Sequence, residues 1–594
     1  MSGRRRLLRW AIRFALVNAG LLGVIGLRYL WHYVVAAGAV AWPYVLVAYV
    51  AHWALLASVP FALVLVPLTL LRPRPGLVLP TGVAIGAAGL SLTLLDSLVF
   101  AENRYHLSPL SAALLAPQTW AFTAVYLLVF LAIEAMAARW LWGRSAVPLR
   151  RTGWVAIALG ACVLISHAAY TWAEVQYYVP ITSFTHYLPL DVRLSVRQAR
   201  LNLGRERALA EGVPAAGIQA SRSGLQYPIA PLRCGAASPS LNVLLIVVDA
   251  MRADSLTAEI APSLTAFAGH AMRFDRHWSG GNSSRAGMFS LFYGLPGTYW
   301  TAFAGAARPP VLMDLFQHAG YQLGLFSSAN LDQAVGLERT AFARVPNLRL
   351  RTAEPSRRTW ARDRVLTDEW FAWLERRDPS RPFFGLLYYD SAQAKSFPED
   401  YPQRLPVVAG AGKEAVNRAR YLTAVHYVDS LVGRALADLE RRGLSDRTLI
   451  IATSDHGMEF DESGQGFRGH GTSYSDYQMR TPLLVAWPGR PAERVSRRTS
   501  HYDMAPTLVT RLFGCENAAS DYSSGRDLLE GPEWPWLVAA SYGDFALIEP
   551  DRVTVVYQSS YFETRDRDYR LIARPERRGD VLRAALHEMS RFYR

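Results

Sequence analysis

Five apolar stretches in the first third of the chain limit what it can fold into. They cover residues 7–30, 44–71, 77–100, 120–140 and 152–179, and each reaches the roughly 20 residues a helix needs to cross a hydrocarbon layer. The first is not expected to be a cleavable leader, because no small-residue cleavage site follows it and more spans come after. Arginines set the expected orientation. Arg4, Arg5, Arg6, Arg9 and Arg13 cluster at the N-terminal end of the first span, Arg72 and Arg74 follow the second, and Arg144, Arg150 and Arg151 follow the fourth. The other two loops hold only Arg104 beyond the span edges. Basic loops stay in the cytoplasm, so the N-terminus is expected inside and everything after the fifth crossing outside. In a Gram-negative cell that is the periplasm. Asp96 and Glu134 are expected to sit at interfaces or to pair inside the bundle. Trp10, Trp31, Trp42, Trp120, Trp140 and Trp142 fit an interfacial aromatic belt.

The 594-residue chain is too long for one compact domain, and its composition shifts after the apolar part. Residues 1–180 read as a five-span transmembrane domain, 181–240 as a basic interfacial linker, and 241–594 as a globular domain. The net charge is +14, nearly all of it arginine, with Lys395 and Lys413 the only lysines. Beside a membrane, such a balance points to anionic lipid more than to nucleic acid, for which no motif is present. The linker contains LDVRLSVRQARLNLGRERALA over residues 190–210. Arg193, Arg197 and Arg200 recur at helical spacing, and Arg205 and Arg207 extend the charge. Guanidinium groups bind phosphate through paired, charge-assisted hydrogen bonds, so these five arginines are candidate lipid-binding residues; a solvated helix packed under the globular domain would carry the same pattern. Residues 227–232 read as an extended linker. Of the three cysteines, Cys162 lies in an apolar segment, while Cys234 and Cys515 could pair in an oxidising compartment.

From residue 241 strands and helices alternate. LNVLLIVVDA, YQLGLFSSA, RPFFGLLYYD, TLIIATSD and TPLLVAWPG read as strands, and 421–442 is the clearest helix. This is a doubly wound layout, in which functional groups collect at the carboxyl ends of strands. Asp249 ends one strand, and Asp455 with His456 ends another. Carboxylates and imidazole at adjoining strand ends make a plausible divalent-metal site. Ser283 and Ser284 stand just before an expected helix over 286–293. A hydroxyl there could attack phosphorus or sulfur, or one serine could simply cap the helix. His470, between glycines, could hydrogen-bond an oxyanion or bind a second metal.

Asp249 after NVLLIVV, the hydroxyl segment before FSLFYG, SDHG at 454–457, GHG at 469–471 and SHYDMAPTLVTRLFG at 500–514 occur in an order that resembles the alkaline phosphatase/sulfatase superfamily. With the five spans ahead of them, the whole chain looks like the YejM/PbgA group of inner-membrane sulfatase-like proteins. The resemblance implies a five-helix transmembrane bundle followed by an α/β sulfatase/alkaline-phosphatase-like domain with a central, mostly parallel sheet. It implies one divalent metal (magnesium or manganese, with zinc the alternative) on Asp249, Ser284, Asp455 and His456. Ser284, five residues before Phe289, takes the nucleophile position, with Ser283 the runner-up and His470 in a catalytic role. Two features depart from the pattern. Ser284-Arg285-Ala286 lacks the C/S-x-P-x-R motif of true sulfatases, so sulfatase activity is not expected. Active transferases usually place a histidine after the middle strand, where this chain offers Gln393 or its neighbours. The group is associated with sensing lipopolysaccharide and lipid A, with cardiolipin, and with a LapB-type membrane adaptor. The function implied is a lipid-binding regulator of lipid A homeostasis and outer-membrane integrity; the alternative is a metal-dependent phosphohydrolase or headgroup transferase.

Overall fold

The structure, a computed structural model, describes residues 3–31, 41–103, 106–107, 117–147, 152–175, 181, 183–191 and 224–235. It also describes 241–593 apart from 332–334, 351, 353–357, 408–411, 543, 557–561, 573–574 and 577. The candidate lipid-binding residues Arg193, Arg197, Arg200, Arg205 and Arg207 lie outside the described residues. The chain divides into two compact units, one of residues 1–224 with 558–561 and 593–594, the other of 225–557 with 562–592.

Among its described residues the first unit contains five helices long and apolar enough to cross a membrane. They are α1 (Gly3–Leu30), α2 (Trp42–Leu71), α3 (Pro75–Asn103), α4 (Pro117–Arg144) and α5 (Thr152–Val175). Both intramembrane acids pair inside the bundle. Glu134 Oε2 accepts from Asn18 Nδ2 at 3.0 Å, and Asp96 Oδ2 accepts from the Tyr29 hydroxyl at 2.5 Å and lies 2.7 Å from His106 Nδ1. Polar groups shut away from water need such partners. The expected aromatic belt holds only in part. Trp31, Trp120 and Trp140 are exposed, but Trp10 is fully buried. Its indole N–H donates to Ala138 O at 3.0 Å, which makes it a helix-packing residue. After α5 the chain returns to the bundle: Ile181, Phe184 and Leu188 join a cluster with Tyr29, Tyr44 and Trp53.

The second unit is built on a seven-stranded sheet in the order β3-β4-β1-β5-β8-β2-β9. The strands are β1 (Asn242–Val248), β2 (Met272–Trp278), β3 (Gln322–Ser327), β4 (Phe383–Tyr389), β5 (Thr448–Thr453), β8 (Leu483–Ala486) and β9 (Arg494–Ser500). All neighbouring pairs are parallel except those made by β8, which runs antiparallel to both β5 and β2. A small ribbon, β6 (Glu459–Phe460) with β7 (Arg468–Gly469), and an antiparallel sheet of β10 (Leu537–Ala540), β11 (Phe545–Ile548), β12 (Arg552–Val556) and β13 (Phe562–Asp566) complete the strands. Every residue of β1, β4 and β5 is buried, as a continuous apolar run demands when helices cover both faces. Leu244, Ile246 and Val248 face α7 (Thr359–Arg376) and α8 (Lys413–Arg441) through Leu366, Trp370, Tyr421, Val425 and Val432. On the other face Phe384 stacks on Phe316 at 4.5 Å and meets Phe292 of α6 (Ser284–Tyr293).

The segment expected to be an extended linker over 227–232 is packed onto the globular unit. Tyr227 is buried against Phe303 and Phe592, and Cys234 is joined to Cys515 by a disulfide.

Candidate metal centre

Strand register brings the site together. Val248 pairs with Tyr389 and Val247 with Thr453, so β1, β4 and β5 end side by side. The residues that follow, Asp249, Asp390 and Asp455, therefore leave the sheet along one edge, where ligands collect in open α/β folds. Asp249 N donates to Tyr389 O at 2.8 Å, which fixes the first turn beyond β1. Asp455 Oδ1 accepts from Ala250 N at 3.0 Å and from His456 N at 2.9 Å. The SDHG segment is thus locked by its own backbone and by that of the neighbouring strand.

The expected ligands converge. Among the described residues, one ligand atom each from Asp249, Asp455 and His456 lies within 4.8 Å of the others. His456 Nε2 stands 3.6 Å from Asp249 Oδ1 and 3.7 Å from Asp455 Oδ2. The helix expected over 286–293 starts two residues earlier, at Ser284. That places Ser284 Oγ 3.2 Å from His456 Nε2 and 3.5 Å from Asp249 Oδ2. Ser283 occupies the position just before the helix but makes no capping bond, and its buried hydroxyl has no partner. His470 stacks on His456 with ring centroids 4.7 Å apart, outside the three-ligand group. Gln393 fills the place expected of a histidine: its amide donates to Asp249 Oδ1 at 2.8 Å and to Ser284 Oγ at 3.4 Å.

Tyr388 was not anticipated from sequence. Its hydroxyl lies 2.8 Å from Asp249 Oδ2 and 2.8 Å from Asp455 Oδ2. A tyrosine near the end of a central strand ordinarily reads as packing, and nothing in YYD marks one ring as polar in purpose. Two supporting groups are also visible only in three dimensions. Asp363 of α7 accepts from Ser391 N at 2.9 Å and Asp390 N at 3.1 Å, pinning the turn that carries Gln393. Gly287 of α6 lies so close to Asp455 that a Cβ there would meet its carbonyl oxygen at 2.1 Å.

Burial pushes the Asp249 carboxyl well above its usual range, and the charges of Asp455 and Asp390 add to the effect; hydrogen bonds from Tyr388 and Gln393 oppose it. Burial and the charges of Asp249 and Asp455 push the Tyr388 phenol far up, so it is a neutral donor. His456 Nδ1 faces Gly457 O at 2.8 Å. A ring nitrogen against a carbonyl carries the proton, so in the neutral ring Nε2 presents a lone pair to Ser284. It can coordinate a metal or take the serine proton. Two buried carboxylates and one imidazole lone pair form a donor set that fits a divalent cation, which would relieve the carboxylate repulsion.

The sulfatase family ("Sulfatase") matches residues 241–514, and "Domain of unknown function (DUF3413)" matches residues 2–234. The chain is 28% identical to "Inner membrane protein YejM" of Salmonella typhimurium over 592 residues, covering 94% of this chain and 93% of the relative. It is 26% identical to an uncharacterised protein of Haemophilus influenzae, covering 95% of this chain and 92% of that protein. The solved structure of a phosphonate monoester hydrolase of Agrobacterium radiobacter is 18% identical, with a TM-score of 0.44 over 55% of this chain and 89% of that one. Superfamily members are typically metal dependent, in keeping with the cluster at the strand ends. Along nearly its whole length, spans and sulfatase-like domain together, the chain is similar to the inner-membrane protein YejM, with the DUF3413 and Sulfatase models matching its two parts in turn.

Proposed function

We propose that this chain is a lipid-binding regulator of lipopolysaccharide and lipid A homeostasis, and so of outer-membrane integrity, with its sulfatase-like domain on the periplasmic face. The observation that carries this reading is Gln393. Its amide donates to Asp249 Oδ1 at 2.8 Å and reaches Ser284 Oγ at 3.4 Å. An amide neither takes up nor releases a proton at neutral pH, so it cannot replace a histidine in acid–base work. Ser284 itself is 4% exposed. A site so closed suits a domain that is held in shape more than one that turns over. Lipid phosphates would be taken by Arg193, Arg197, Arg200, Arg205 and Arg207, next to the last span, with cardiolipin a second candidate ligand. The spans would engage a LapB-type membrane adaptor. The outward orientation is supported by the arginine asymmetry and by the Cys234–Cys515 disulfide, which an oxidising compartment maintains.

Full-length protein in nanodiscs tests the reading. Alanine at Arg193, Arg197 and Arg200 together is expected to abolish lipopolysaccharide binding and to leave cells with a leaky outer membrane. Unchanged binding and an intact barrier would sink the regulator.

One observation favours a second reading, a metal-dependent phosphohydrolase or headgroup transferase: Ser284 Oγ lies 3.2 Å from Nε2 of His456. His456 could accept the serine proton while the helix N-terminus of α6 faces the developing charge. A divalent cation on Asp249, Asp455 and His456 would neutralise the transferring group. Purified protein with magnesium or manganese should then release phosphate from a model ester, and Ser284→Ala should stop it. Equal rates would remove the nucleophile assignment.

A further inference from the structure

Every oxygen of the two buried carboxylates can be accounted for. Asp455 Oδ1 is served by Ala250 N at 3.0 Å and His456 N at 2.9 Å, and Asp249 Oδ1 by Gln393 Nε2 at 2.8 Å. The remaining oxygens, Oδ2 of each, converge on one atom, the Tyr388 hydroxyl, 2.8 Å from both. Tyr388, Asp249 and Asp455 are 0–2% exposed, so water does not screen the pair. Apart from that hydroxyl, among the described residues only Ser284 Oγ, at 3.5 Å from Asp249 Oδ2, is within hydrogen-bond reach of either of these two oxygens.

From this geometry we propose that Tyr388 is a stand-in for the cation: its hydroxyl holds Asp249 and Asp455 together when no metal is bound, and so competes with metal for the centre. A phenol has one proton and cannot serve two carboxylates fully. The brace is therefore weaker than a divalent ion, but it keeps the strand ends assembled in metal-free protein. The inference rests on the metal-centre reading of the cluster. It adds that the centre has two closed states, one braced by tyrosine and one by metal. Its consequence has a definite sign. A contact made only in the metal-free state lowers metal affinity, and its removal raises that affinity by the factor the contact was worth. A tyrosine that acted as a metal ligand would do the reverse.

The test is manganese binding by full-length protein in nanodiscs, read as free Mn2+ by electron paramagnetic resonance, with thermal midpoints in chelator and in saturating Mn2+. Tyr388→Phe is expected to bind Mn2+ on the order of tenfold more tightly, as fits loss of a hydrogen bond to a buried charge. Its midpoint should fall below that of the wild type in chelator, and the gap should close in Mn2+. Equal or weaker binding, or an unchanged midpoint in chelator, overturns the competition. Manganese binding by neither protein overturns the metal-centre reading along with it. Should Tyr388→Phe not fold alone, it is made in the Asp249→Asn background, where repulsion is absent. There the double variant should fold with a midpoint close to that of Asp249→Asn alone; a large further drop, or a double variant that also fails to fold, overturns the brace.

Discussion

A Cβ on Gly287 would stand 2.1 Å from the carbonyl oxygen of Asp455, and backbone cannot yield as a side-chain end can. Gly287→Ala is therefore expected to cost about 3 kcal/mol, read as a lower denaturant midpoint, and to weaken metal binding because Asp455 must shift. Beside the same helix lie two buried groups whose titrations oppose each other. Burial lowers His501 to about 4 and raises Asp503 to about 6. Between roughly pH 4 and 6.5 the unfolded chain holds a proton on His501 that the native state lacks, so this group adds stability as pH rises. Over roughly pH 4 to 6 the native state holds a proton on Asp503 that the unfolded chain lacks, so this group removes stability as pH rises. In wild type the two slopes largely cancel. His501→Gln leaves only the second, so the thermal midpoint at about pH 7, relative to about pH 5, should be lower in the variant than in wild type. An unchanged difference would show that His501 is not held neutral.

The turn after β4 depends on α7. Asp363 accepts from Ser328 Oγ, Asp390 N and Ser391 N, and it is fully buried. Asp363→Ala strands those donors and should cost about 2–4 kcal/mol, with faster amide exchange through the turn that carries Gln393. The segment 225–235 depends on a different tie. Its disulfide closes a loop of sequence separation 281. Cys234→Ser is expected to lower stability by about 2–4 kcal/mol, and Cys515→Ser should add little on top, since either change opens the same loop. Additive losses in denaturant titrations would contradict the bond.

Orientation is a property of the full chain. If α1 begins in the cytoplasm, five crossings put the globular unit outside. Exposed residues of the globular unit, such as Gln465 between β6 and β7, should then react, once replaced by cysteine, with a membrane-impermeant maleimide added to spheroplasts. Labelling only after the inner membrane is opened would reverse the topology and remove the periplasmic role.

Much of the plan could be read from residue order alone. Spans are set by how much apolar length a bilayer requires, and buried parallel strands by unbroken apolar runs, so both appear as local pattern. Asp249, Asp455 and His456 stood out because each breaks such a run at its carboxyl end. Ser284 and Gln393 could be placed only through resemblance. The rest depends on contacts between residues far apart in the chain. Tyr388 looks like core until β1 and β5 bring two carboxylates to its hydroxyl, and Trp10 looks like a lipid-facing belt residue until α4 offers it a carbonyl. Local pattern reports which atoms avoid water; it does not report which buried polar atoms find one another, because that pairing exists only once the strands and helices are assembled.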